Sequence, residues 1–219
     1  MLRLFLPESW MSDPVRLSRA GVPEDLAAYR TKPEIALAEI DRVRAAGARF
    51  GCVLTDAGYG LSASFRQGLS ERGLTWAVGI GARQKVHPID VALVFPVSGR
   101  GRPYKNHVPG AKSVSAEKTL VTVPWHTLSW RRGTRGPLKA RFAAVRIKVA
   151  DGPLQRIGDM GQHLPGEEAW LIGEHRSNGE RKYYLSGLPA DTSLKRLAGA
   201  IKARWEVPPD NHYSVAPAR

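Results

Sequence analysis

Phe50-Gly51-Cys52-Val53-Leu54-Thr55-Asp56-Ala57-Gly58-Tyr59-Gly60 is the one stretch in which an apolar, β-forming run delivers a carboxylate into a glycine loop. Phe50 to Leu54 is short, with Gly47 before it and Gly58 and Gly60 after it, which reads as a core strand in preference to a helix. In an α/β sheet, ligands and catalytic groups collect at the C-terminal ends of the parallel strands. Asp56 is therefore a candidate site residue, with Gly58 and Gly60 letting a large partner approach the backbone. The competing reading makes Asp56 the cap of the following helix, although Ser62 lies nearer that helix and can cap it.

Regular elements flank this stretch on both sides. Upstream, Thr31-Lys32-Pro33-Glu34 is a capping box with proline in the first turn. It opens a helix whose apolar stripe is Leu37, Ile40 and Val43 with Ala36 beside them, and Gly47 ends it. Leu2, Leu4 and Leu6 alternate with Arg3 and Phe5, so the chain opens inside a strand that Pro7-Glu8-Ser9-Trp10 ends. Downstream, a helix from Ser62 to Arg72 turns Phe65 and Leu69 inward and stops at Gly73, and Leu74 to Ile80 is a further strand. Strand, helix, strand, helix, strand predicts right-handed crossovers on a largely parallel sheet.

After Gly81 the pattern becomes β-rich. Val86 to Val97 holds short β pieces broken by Pro88 and Pro96. Arg141 to Val149 alternates, with Ala143, Val145, Ile147 and Val149 on one face and Arg146 and Lys148 on the other. Trp170 to Leu185 is a hairpin turning at Ser177-Asn178-Gly179. Asp191-Thr192-Ser193 caps a last helix with Leu194, Leu197, Ala198 and Ile201 inward and Lys195, Lys202 and Arg204 on its polar side, stopped by Pro208-Pro209.

Charge narrows the partner. Thirty-three Lys and Arg against twenty Asp and Glu give +13, and the sequence pI is about 10.3. Twelve of the cations and a single acid, Glu117, fall between Gly99 and Lys148. A solvated charged face carries acids as well, so their exclusion favours a phosphate-binding surface. Nucleic acid is the first partner expected and an anionic membrane surface the second. Trp125 and Trp130 interleave with these cations, and core packing is the expected role of both rings. The single Cys52 excludes an intramolecular disulfide framework and reads as an inert thiol in a reducing compartment. No run approaches the roughly 18 apolar residues of a membrane span, and the expected location is cytoplasmic.

Arg3 to Trp10, Thr31-Lys32-Pro33-Glu34, Asp56-Ala57-Gly58-Tyr59-Gly60, Trp130-Arg131-Arg132-Gly133-Thr134, Tyr183-Tyr184-Leu185-Ser186 and Lys202-Ala203-Arg204-Trp205 together resemble the DDE transposases of bacterial insertion sequences. The resemblance implies an RNase H-like, retroviral-integrase-like α/β fold, a mixed sheet with flanking helices interrupted by a β-rich insertion. It implies a core over 1–81, a basic insertion over 82–188, a final core helix over 189–205 and a divergent tail over 206–219. It also implies two Mg²⁺ (or Mn²⁺) ions held by two Asp and one Glu, with DNA (transposon ends and target) as partner, an oligomer in the intact enzyme and a nucleoid-associated location. Such ions clamp an in-line displacement at phosphorus.

Asp56 matches the second Asp, and Arg204 matches an Arg four residues before the Glu. Both ends depart from the family pattern. The first Asp belongs on a strand upstream of residue 1, and the Glu position is Pro208. Glu206 is two residues early, which on a helix turns it by about 200°. The expectation is a transposase remnant, truncated upstream and frame-shifted after Trp205, that binds DNA through Arg100, Arg102, Lys105, Arg131, Arg132, Arg135, Lys139, Arg141 and Arg204 without cleaving it. A non-catalytic nucleic-acid-binding module, in which Asp56 is incidental, is the alternative. A nucleotide-binding enzyme lacks its third glycine and Gly-Lys-Ser/Thr element, no His pair has zinc spacing, and no Gly-x-Ser-x-Gly elbow marks a serine hydrolase.

Overall fold

The computed structural model describes residues 5–24, 28–95, 106–134, 136–157 and 160–203, hereafter the described residues. Residues 1–49 form one compact unit and residues 50–219 another. In the first, Glu8–Met11 (α1) and Pro14–Arg19 (α2) precede Lys32–Ala45 (α3). Asp13 caps α2 by accepting from the Arg16 amide at 2.9 Å, and the Arg16 guanidinium lies 4.0 Å above the Trp10 ring. Phe5 and Leu6 form no strand, and Leu2 and Leu4 lie outside the described residues. The segment expected to end a strand starts a helix instead, because an extended Pro7 followed by an acid in the first turn is itself a helix entry. At α3 both bonds of the capping box are made, and the Glu34 carboxylate accepts from the Thr31 amide at 2.7 Å. Gly47 leaves the helix with φ of +87°. No residue of α3 is fully buried, so its apolar stripe is only half covered.

The second unit opens with Val53–Thr55 (β1), passes through Ala57–Gly60 (α4) and Ala63–Glu71 (α5), and reaches Trp76–Ile80 (β2), which lies parallel to β1 with Val53 opposite Trp76. There follow Lys85–Pro88 (β3), Leu93–Val94 (β4), Val108–Pro109 (β5), Val114–Ser115 (β6) and Ala116–Thr119 (α6). His126–Gly133 (β7), Gly136–Val149 (β8), Leu154–Ile157 (β9), Met160–His163 (β10), Glu168–His175 (β11) and Arg181–Ser186 (β12) precede Leu194–Ala203 (α7). The main sheet runs β1-β2-β12-β11-β8-β3-β6, with β7 beside β8.

Among the described residues only the β1·β2 ladder of this sheet is parallel. The sheet is therefore mixed, not largely parallel: parallel neighbours need a long crossover, whereas β7–β8 and β11–β12 are joined by short turns that permit only antiparallel pairing. The β11–β12 turn closes where the sequence places it, with Gly179 at φ of +85°. β1 starts at Val53 and not at Phe50, whose ring is 39% exposed. Standing last in the strand order, β1 is half-buried and is not a core strand. Cys52 precedes it, half-buried, and burial pushes its thiol up, which disfavours the reactive thiolate.

One buried cluster of this unit lies between the sheet and α7, apart from other buried residues such as Phe65, Leu69, Val78, Leu171 and Leu185. Leu197, Ala198 and Ile201 pack against Ala77, Phe142, Ile172 and Leu188. Phe142 and Ala144 share a face of β8 with Arg146, so the face expected to be basic is apolar along its middle and charged only toward one end. There Arg146 pairs with Glu168 at 3.3 Å and lies 5.5 Å from the Trp170 ring centroid. Trp130 meets Phe142 edge-on at 5.8 Å and packs against the same core.

Lys202, expected on the polar side of the last helix, is only 6% exposed. Its Nζ donates to Glu174 Oε1 at 2.5 Å and sits 4.5 Å from the Trp130 ring centroid. Glu174 is fully buried and also accepts from Arg176 Nε at 2.9 Å and from the Tyr184 hydroxyl at 2.9 Å. A buried carboxylate needs such partners, and the sheet register supplies them. Among the described residues, no helix is long and apolar enough to cross a membrane.

Candidate functional site

Asp56 leaves β1 and turns at once into α4, its Oδ1 accepting from the Gly58 amide at 3.0 Å. Ser62 accepts from the Phe65 amide at 3.3 Å and caps α5. Asp56 thus caps the short turn while Ser62 caps the longer helix. The glycines of this loop serve its own packing. A Cβ on Gly60 would overlap the Gly79 carbonyl, and a Cβ on Gly79 would stand 3.0 Å from the Ala57 nitrogen. The close approach expected for a partner is made here by α4 and β2.

Arg66, which the sequence reading passed over, holds the turn from behind. Its guanidinium donates to the Gly60 carbonyl and to the Asp151 carboxylate, and it is only 2% exposed. The available signal was its place beside Phe65 and three residues before Leu69, on the inward side of α5, where an arginine requires a partner.

Asp56 is exposed at the mouth of a hollow of about 470 Å³. Thr55, Gly79, Arg181, Lys182, Tyr183 and Tyr184 share its lining with Asp56; among the described residues Asp56 is the one acid there, and Arg181 and Lys182 are the cations, Lys182 also pairing with Glu180 at 3.3 Å. The Thr55 hydroxyl is buried without a hydrogen-bond partner among the described residues. Burial, and then the neighbouring Glu174 carboxylate, push the Tyr184 phenol well above its usual range, so it stays protonated as a donor. Glu174 itself is pushed up by burial, but hydrogen bonds from Lys202 and Arg176 outweigh this and hold it below its ordinary 4.5.

Two divalent ions need several oxygen ligands. This hollow offers one carboxylate beside two cations, and no three Asp, Glu, His or Cys side chains converge among the described residues. The described residues do not fit a divalent-metal centre.

The structure places the four other expected site residues that it describes away from Asp56. Arg131 and Arg132 are exposed near the end of the β7–β8 hairpin, opposite Leu138 and Pro137. Lys139 and Arg141 are exposed on β8 and line a second hollow, of about 400 Å³. None of these four lines the hollow that holds Asp56. Arg100, Arg102, Lys105, Arg135 and Arg204 lie outside the described residues. Arg181 and Lys182, adjacent to Asp56 across the hollow, drew no attention in the sequence because residues 149–219 carry no net charge.

A family model described as DDE superfamily endonuclease matches residues 1–137, which include Asp56, Arg131 and Arg132. No curated protein matches the chain.

Proposed function

The chain belongs to the DDE superfamily of endonucleases, and on that premise we propose that it is a transposase-type chain that binds DNA and does not cleave it. The observation that carries this reading is the charge of the hollow at the end of β1. One carboxylate sharing its lining with Arg181 and with Lys182, which also pairs with Glu180 at 3.3 Å, suits a phosphate better than a pair of cations. The superfamily generally works with divalent metal ions, and one carboxylate, that of Asp56, is too few to hold them. The parallel β1·β2 pair, connected through α5, supports an RNase H-like core, read over 1–81 and 189–205 and interrupted by a β-rich insertion over 82–188. The cations of that insertion, Arg100, Arg102, Lys105, Arg131, Arg132, Arg135, Lys139 and Arg141, together with Arg204, are the proposed phosphate contacts.

The test is duplex binding across a salt series for the wild type and for Arg131→Glu/Arg132→Glu, with a plasmid-cleavage assay in Mg²⁺ alongside. Each phosphate contact contributes about 0.9 to the slope of log affinity against log salt. The double reversal is expected to weaken binding on unrelated sequences alike and to flatten that slope, while no cleavage develops. Plasmid cleavage that vanishes in Asp56→Ala overturns the non-cleaving half of the reading. Identical slopes remove Arg131 and Arg132 from the interface.

A further inference from the structure

Arg181, His175, Arg141 and Thr127 are direct cross-strand partners, one on each of β12, β11, β8 and β7. Direct partners project from the same face, and neighbouring strands are about 4.8 Å apart, so Arg181 to Arg141 is a row about 10 Å long. Arg181 and Arg141 are exposed and His175 is half-buried. The row also joins three hollows. Arg181 lines both the hollow of Asp56 and one of about 220 Å³, while Arg141 and His175 line the latter and the hollow of about 400 Å³ that Lys139 shares. Two guanidiniums flanking an imidazole with no acid between them oppose the stability of the sheet. Among the described residues, the one acid in the adjoining hollow is Glu117, on α6.

We propose that this row is a phosphate track that carries the backbone of duplex DNA across the strand ends toward Asp56. The proposal rests on the DNA-binding reading and adds Arg181 and His175 to it. The rings beside the row are already engaged. Trp125 donates to the Leu120 carbonyl at 3.2 Å and meets His175 edge-on at 6.2 Å, and Tyr183 is 7% exposed. Among the described residues beside the row, bases of a single strand therefore find no open ring to stack on. The track takes charge, not sequence, and so favours duplex backbone. Arg176 stands apart from it because its guanidinium is bound by Glu174 and Glu180.

The experiment compares the wild type with Arg141→Gln/Arg181→Gln and with Glu117→Gln, measuring binding to two unrelated duplexes and to one single strand across a salt series, with thermal unfolding of each variant. The expected slope on both duplexes falls by about 0.9 for each guanidinium removed. Glu117→Gln is expected to bind up to about fivefold more tightly, the size of an exposed charge interaction. Unfolding temperatures should match or slightly exceed the wild type, since both arginines are exposed and their removal relieves like-charge contacts across the strands. A wild type that binds no DNA overturns the DNA-binding reading and the track together. A wild type that binds, with an unchanged slope in the double variant, or that prefers the single strand, overturns the track alone.

Discussion

The helices α3 and α7 both carry an apolar stripe in sequence, much more sharply segregated from the polar face in α7, and the protein uses them in opposite ways. α3 has the better local signals, with a complete capping box, proline in its first turn and a positive-φ glycine just past its end, yet it buries no residue. α7 starts after a weaker cap, the Ser193 hydroxyl accepting from the Arg196 amide at 3.4 Å, yet it buries Leu197, Ala198, Ile201 and Lys202. Capping determines where a helix begins, whereas what faces its apolar stripe determines how strongly it is held. α7 is held by the sheet core and by an ion pair that reaches through it to Glu174.

The contrast breaks most directly at that ion pair. Glu174→Gln leaves Lys202 buried without its counter-charge and is expected to cost about 3–5 kcal/mol, read as a fall in the chemical unfolding midpoint. The carboxyl lies below its ordinary 4.5 in the folded chain. Its contribution is therefore complete above that value and lost as the pH falls through the folded value, and the acid dependence should shrink in the variant. An unchanged midpoint would mean that α7 is held by its apolar face alone.

Truncating one leucine in each helix sharpens the comparison. Leu197→Ala should cost about 2–5 kcal/mol because Leu197 is fully buried. Leu37→Ala, on a stripe that is only half covered, should cost distinctly less, and equal losses would show that α3 is as firmly seated as α7. The smallest effect belongs to the cap. Thr31→Ala removes a side-chain acceptor and should lower the helicity of α3 at a cost of about 1 kcal/mol. Amide exchange confined to the first turn of α3 is the measurement, and a change that spreads into the sheet would contradict a local role.

Much of the fold was legible because the interactions that encode it are short. The Thr31–Glu34 box, the Ser62 cap, the inward Phe65 and Leu69, and the Ser177-Asn178-Gly179 turn all depend on residues within a few positions of one another. Asp56 was legible for the same reason, as a carboxylate at the end of a strand. The opening segment misled because apolar residues at positions 2, 4, 5 and 6 support a strand only if a neighbour pairs with it, and Pro7 and Glu8 serve a helix start equally well.

By itself, then, the sequence determined the caps, the turns, the helical faces and the surplus of cations that points to DNA. The tertiary structure alone decided which strands pair and in which direction, and with that the surroundings of every charged group. Lys202 meets Glu174 from 28 residues away, and Arg66 meets Asp151 from 85. Arg181, His175 and Arg141 become neighbours only through the register of β12, β11 and β8. Local periodicity can assign a charged residue to a face. Whether that face meets water, a buried carboxylate or another cation depends on sheet pairing between segments far apart in the chain.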